Sequence, residues 1–317
     1  MCGRRLWSAA VTDAVRPSGQ QHEIRHGDQR AVIVEVGGGL RIYETEAGPV
    51  LDGYRVTERC DGGRGQPLMP WPNRLRDGRY AFNGRPQQLP LTEPESATAI
   101  HGLVRWANWA VAEHDRNRVV VGYRLHPQPG WPGTLDLRID YRLDDDGLTV
   151  AATALNVGPE PCPFGAGFHP YVGLGAGAVD TLTLRLPVRT RLEADERGLP
   201  CGRAPVAGTG LDYREPRPIG QARLDGCFTD LVRDPDGRAR VRVATPERAV
   251  TVWADEAFGY LMVFTGDTLA PDRRRRGVAI EPMSCPPNAL ASGEAIVVLE
   301  PGGVFSGSWG ISTSGPL

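Results

Sequence analysis

Lysine is absent from this chain of 317 residues: all 36 basic residues are arginine, set against 38 acidic ones for a net charge of −2. Without a basic excess or stripe, the electrostatic footprint of a nucleic-acid-binding protein is missing. The all-arginine usage reads as compositional bias rather than as a function. Cysteine is sparse. The six residues (Cys2, Cys60, Cys162, Cys201, Cys227 and Cys285) are scattered with no CxxC pair. That excludes zinc-type spacing and the density of a small disulfide scaffold. No segment reaches the roughly 18 consecutive apolar residues that cross a bilayer. The opening stretch, MCGRRLWSAAVTDAVRP, holds no apolar run long enough for a signal peptide. These absences lead to the expectation of a soluble, cytoplasmic protein with neither membrane nor nucleic-acid partners. Its cysteines are expected to stay reduced and to act as small apolar residues.

Long helical windows are also nearly missing, and period-two segments bounded by turns recur instead. Residues 31–36 (AVIVEV) and 40–45 (LRIYET) flank a triple glycine, and residues 79–82 meet Asn83-Gly84, a strong hairpin signal. Further candidates are 106–112 with 118–125, 134–143 with 148–156, then 181–190, 239–244, 249–254 and 295–300. Glycine (40) and proline (28) are spread along the chain, as many turns require. So many alternating strands imply antiparallel sheets packed face to face, an all-β sandwich. The absence of a dividing linker suggests one domain over 1–317, with its core at about 30–310. The segments 61–78, 86–105, 157–178, 200–230 and 266–290 do not alternate and read as long, functional loops. The run Arg273 to Arg276 reads as a solvated loop tip, with phosphate binding the alternative.

The chemistry-bearing residues fall in those loops. PWPNRLRDG carries Asn73 and Arg74, whose planar fork suits a polar ligand or a surface ion pair. In AIHGLVRW, His101 precedes a glycine. In GAGFHPYVG, His169 stands among small residues and before Pro170. Each histidine alone fits a core role as well as a site role. Asp225 in RLDGCF reads first as a turn residue. Glu281 in AIEPMSCPPNAL follows an apolar approach and precedes a proline. Burial there would raise its pKa, as a general base near neutrality requires. His101, His169 and Glu281 lie far apart in sequence with no HxH or HExxH spacing, so a metal site is not indicated. Neither GxSxG nor a nucleotide-binding glycine fingerprint occurs.

Taken together, PWPNRLRDGRYAFNGRPQQLPL, AIHGLVRWANW, GAGFHPYVGLG and IEPMSCPPNAL resemble the aldose 1-epimerase (galactose mutarotase) family. The likeness runs from about residue 30 to residue 310. The resemblance implies a large antiparallel β-supersandwich with an open sugar cleft and no cofactor. It implies an isomerase that interconverts the α and β anomers of a free aldose such as galactose or glucose. Residue by residue, it makes Glu281 the catalytic base and His169 the catalytic acid, with neighbouring carboxylates keeping the imidazole protonated. His101, Arg74 and Asp225 become substrate-binding residues, and Phe264 or Trp253 an apolar wall. A non-catalytic sugar-binding protein is the first alternative. A hexose-6-phosphate mutarotase is the second, with phosphate held by Arg74, Arg76 and the 273–276 run. The expected partner is a small sugar, and the expected state a monomer or weak homodimer.

Overall fold

The computed structural model describes residues 15–314; the opening stretch and Cys2 lie outside them. Two large antiparallel sheets dominate. One has nine strands, built around the long hairpin Leu135–Asp144 and Gly147–Asn156 and the strand Val304–Ser314. The other has eight, running from Pro200–Pro205 through Val188–Ala194, Asp225–Leu231, Tyr260–Phe264 and Val278–Met283 to short strands near residues 67 and 167. A four-stranded sheet from Gln21–His26 to Gly48–Pro49 completes the frame. The two large sheets share one apolar core, so the fold is the all-β sandwich that the alternation predicts, in the large antiparallel form that the resemblance implies.

Strand parity decides what each face carries. Along Val278–Met283, Val278 and Ile280 enter the main core, while Glu281 points to the opposite face. Glu281 lies beside Met262, which in turn lies beside Cys227. The same alternation governs Phe168 and His169. Phe168 packs on Trp309 of the nine-stranded sheet, with ring centres 5.3 Å apart, and on Phe258 at 6.2 Å. Its neighbour is thereby turned to the cleft.

Several expected boundaries shift. The strand expected over 106–112 is Ala110–His114, because Trp109 is drawn inward and its indole N–H donates to the Val104 carbonyl at 3.3 Å. The run 181–190 divides. Thr183–Arg185 joins the nine-stranded sheet and Val188–Ala194 the eight-stranded one, with Pro187 between them. A proline has no N–H for a ladder, so the chain changes sheets there. The supposed loops 200–230 and 266–290 contain strands, at Pro200–Pro205, Asp225–Leu231 and Val278–Met283. Glu281 therefore sits within a strand rather than in a loop after one. The arginine run is only partly solvated. Arg273 pairs with Glu58, and Arg275 with Asp180 and Asp267.

Replacing Phe168 with Ala removes the aromatic contact that seats the cleft-bearing sheet on the larger one. A loss of about 3–5 kcal/mol is expected for a truncation of this kind, measurable by denaturant unfolding.

Candidate active site

Five chain segments meet at one cavity of about 310 Å³. The strand Val278–Met283 supplies Glu281 and the segment after Gly167–Phe168 supplies His169. The turn after Thr98–Ile100 supplies His101, and the start of Asp225–Leu231 supplies Asp225. Arg74, at the head of Arg74–Arg76, completes the five residues expected from the sequence. All five line the same cavity.

Glu281 and His169 are buried to 2 % and 5 % exposure, and His101 to 7 %. His169 Nε2 lies 3.2 Å from Glu281 Oε1. Among the described residues, Glu281 Oε2 and His169 Nδ1 have no hydrogen-bond partner. Burial raises the Glu281 carboxyl well above the usual carboxylate range; Asp225 adds to the rise and Arg74 opposes it. Burial, followed by the charges of Arg105 and Arg64, pushes the His169 imidazole down to about 3. This corrects the expectation that nearby carboxylates hold His169 protonated. Loss of hydration outweighs their attraction, because a buried ion pair must overcome the desolvation of both charges. Both shifts favour the uncharged pair, with the shared proton on the carboxyl rather than on the imidazole.

His101 has a different anchor. Its Nδ1 accepts the Asn73 backbone N–H at 3.2 Å, and its own N–H donates to the Asn73 carbonyl at 2.9 Å. Burial, then Arg105, keeps the imidazole well below its ordinary pKa, so the remaining proton sits on Nε2 and can be donated. His101 has a positive φ of 64° and is followed by Gly102 at 72°. A Cβ on Gly102 would lie 1.9 Å from the Met69 carbonyl oxygen, so only glycine closes this turn.

His169 stacks on Tyr171 with ring centres 4.9 Å apart and meets His101 edge-on at 5.4 Å. Tyr171 is held through its hydroxyl, which donates to the Gly62 carbonyl at 3.0 Å. Arg64, fully buried, lies over the same ring and bonds Asp61 at 2.7 Å. The small residues before His169 serve packing. A Cβ on Gly165 would strike Cys285, and one on Gly167 would strike Pro72. Clearance beside the imidazole comes instead from Gly63, where a Cβ would lie 2.8 Å from His169 Cδ2.

Arg74 donates both Nε and Nη2 to Glu93, at 2.7 and 2.8 Å. Much of its fork is thus occupied, and Asp225 stands exposed at the rim. Phe264 lines the cavity; Trp253 does not, being capped by Arg238 on another sheet. Arg76 turns to Asp195 outside it. Glu93, Arg105, Tyr171 and Met262 also line the cavity and were not singled out in the sequence. The HGLVR spacing and the tyrosine two places after His169 were the available signals. A separate depression of about 690 Å³ beside the four-stranded sheet contains no histidine. Among the described residues, no three His, Cys, Asp or Glu side chains gather as a metal set.

Fold and cleft together define a galactose mutarotase-like supersandwich. The GalM/aldose epimerase homologue of C. elegans superimposes with a TM-score of 0.84 at 17 % identity, over 94 % of this chain and 99 % of that one. The family model for aldose 1-epimerase matches residues 20–312, and the chain belongs to that family of sugar isomerases. It is 32 % identical to the uncharacterized protein YihR of Escherichia coli, over 90 % of each chain. The aldose 1-epimerase of the same organism is 29 % identical over 49 % of this chain and 46 % of its own length. No helix among the described residues is long and apolar enough to cross a membrane.

The imidazole nitrogens of His101 and His169 should keep their neutral NMR pattern through the region around pH 6.5 where ordinary histidines titrate. Because the His169 pKa is lowered, the stability it contributes is complete above about pH 6.5 and is lost as the pH falls toward about 3. A titration midpoint for His169 at its ordinary value would overturn the neutral buried couple.

Proposed function

We propose that the protein interconverts the α and β anomers of a free aldose, such as galactose or glucose, by opening and reclosing the pyranose ring. The observation that carries this reading is the buried couple of Glu281 and His169, 3.2 Å apart at the cavity with a partnerless oxygen on Glu281. Ring opening needs a proton removed from the C1 hydroxyl and a proton delivered to the ring oxygen. The C1–O5 bond then breaks to leave an aldehyde, and rotation about C1–C2 presents its other face. Reclosure returns both protons.

A couple holding one proton suits this exchange, since each half-reaction takes one proton in and gives one out. When a sugar enters, its ring oxygen favours the proton on His169, and its C1 hydroxyl favours the ionised carboxylate. Glu281 then acts as base and His169 as acid. His101, with its proton on Nε2, supports the ring oxygen as charge develops there. Arg74 and Asp225 bind sugar hydroxyls, and Phe264 offers an apolar face to the ring.

Glu281→Gln removes the base while leaving an uncharged group of similar size. Mutarotation of freshly dissolved α-glucose or α-galactose, followed by polarimetry, should slow by about 10²–10⁴-fold. The melting temperature should hold or rise, because a carboxyl whose pKa is raised by folding costs stability at neutral pH and an amide carries no such cost. Unchanged turnover in this variant would sink the assignment. The wild-type kcat/KM should remain high on the acid side well below pH 6.5, and fall on the alkaline side as the couple loses its one proton.

A further inference from the structure

A histidine that exchanges protons is usually oriented by a hydrogen bond at the ring nitrogen that does not react. His169 has no such bond. Its Nε2 faces Glu281 at 3.2 Å, and its Nδ1 has no partner among the described residues. The backbone is fixed, since the His169 carbonyl accepts the Gly65 N–H at 2.8 Å and its own N–H donates to the Gln66 carbonyl at 3.2 Å. Those bonds do not limit rotation about Cβ–Cγ, so the plane of the imidazole must be set by packing.

Tyr171 is placed to set it. The two rings are 13° from parallel, with centres 4.9 Å apart. His101 meets the imidazole at 75° and 5.4 Å, and Gly63 comes so near that a Cβ there would lie 2.8 Å from Cδ2. Tilting the imidazole breaks the stack and forces it against these neighbours. Two orientations keep the stack, related by a half-turn of the ring. Only the observed one brings Nε2 to Glu281.

Tyr171 is fixed in its turn. Its hydroxyl donates to the Gly62 carbonyl at 3.0 Å, and its own carbonyl accepts the Asp52 N–H at 2.9 Å. The Arg64 guanidinium carbon lies 4.8 Å from the ring centre. An imidazole and a guanidinium this near one ring centre cannot share a face, so they cover opposite faces. Buried Arg64 is held by Asp61 at 2.7 Å and by Asp52 at 3.3 Å. Asp52 thus grips Tyr171 through its backbone and Arg64 through its carboxylate.

We propose that Arg64 and Tyr171 are positioning residues for His169, a stacked column that aims Nε2 in place of the missing hydrogen bond. The proposal rests on the anomer-exchange reading, in which Nε2 delivers the proton to the ring oxygen. Tyr171 borders the cavity but is only 2 % exposed, so it offers a sugar little surface. Its contribution is made on the imidazole and belongs to kcat.

The test follows mutarotation of freshly dissolved α-glucose and α-galactose by polarimetry, with thermal unfolding to show that each variant is folded. Tyr171→Phe keeps the stack and should hold kcat within about threefold. Tyr171→Leu should lower kcat by about 10–100-fold and leave KM within about threefold, since a misaimed proton donor is felt in the transition state. Arg64→Met should lower kcat as well, and should cost nothing further in the Tyr171→Leu background, because it acts through the ring. The His169 Hε1 resonance, shielded by the tyrosine ring in wild type, should move downfield in Tyr171→Leu and Arg64→Met but not in Tyr171→Phe. If Arg64→Met fails to fold, the Phe and Leu variants decide. A rise in KM at unchanged kcat in Tyr171→Leu makes Tyr171 a sugar contact and overturns the proposal, as does an equal loss of kcat in Tyr171→Phe. Additive losses in the double variant overturn the role of Arg64. Wild-type catalysis that survives Tyr171→Leu removes this inference alone; no wild-type catalysis on either sugar removes the anomer-exchange reading with it.

Discussion

The site depends on the two-residue alternation of the strand. Phe168 fills the space between the large sheets against Trp309 and Phe258, so the next side chain, His169, must leave the core. Ile280 is buried in the same core, so Glu281 must leave it on the same side of its sheet. A one-residue slip in either segment would bury the polar group and expose the apolar one, which the hydrophobic effect opposes at both places at once. The contact between His169 and Glu281 is thus enforced by apolar packing on the far side of the sheet.

That enforcement matters because the couple opposes folding. Two ionisable groups and a second histidine are removed from water, and neither Glu281 Oε2 nor His169 Nδ1 gains a partner among the described residues. Such groups remain buried only where surrounding structure over-determines them. Here the support includes the stack of His169 on Tyr171, the buried Arg64 behind that ring, and the reciprocal bonds between Asn73 and His101. Burial also sets the protonation of the couple. In water a carboxylate beside an imidazole would favour the ion pair; burial shifts both groups toward their neutral forms.

Much of this was legible in the chain. The hairpins at 31–45, 79–88, 134–156 and 239–254 follow alternation and turn chemistry, both local properties. Glu281, His169, His101, Arg74 and Asp225 stood out because polar side chains occur there beside prolines, glycines or apolar runs that leave little room for them. The strands Pro200–Pro205 and Asp225–Leu231 were missed because glycine, proline and charge interrupt their pattern, and pairing with neighbours supplies the order instead. Arg64 looked like any other arginine in a chain with 36 basic residues. Its burial against Tyr171 is a fact about space, which sequence spacing does not carry.

By itself, then, the sequence determined the β class, the sites of most turns and the residue types able to exchange protons, because these follow from period, local conformation and side-chain chemistry. Tertiary structure decided which arginines are paired and which face the cleft, that Phe264 rather than Trp253 borders it, and which groups hold a proton. Those outcomes depend on desolvation and on distances between segments remote in the chain, and both come into being only when the sheets close on each other.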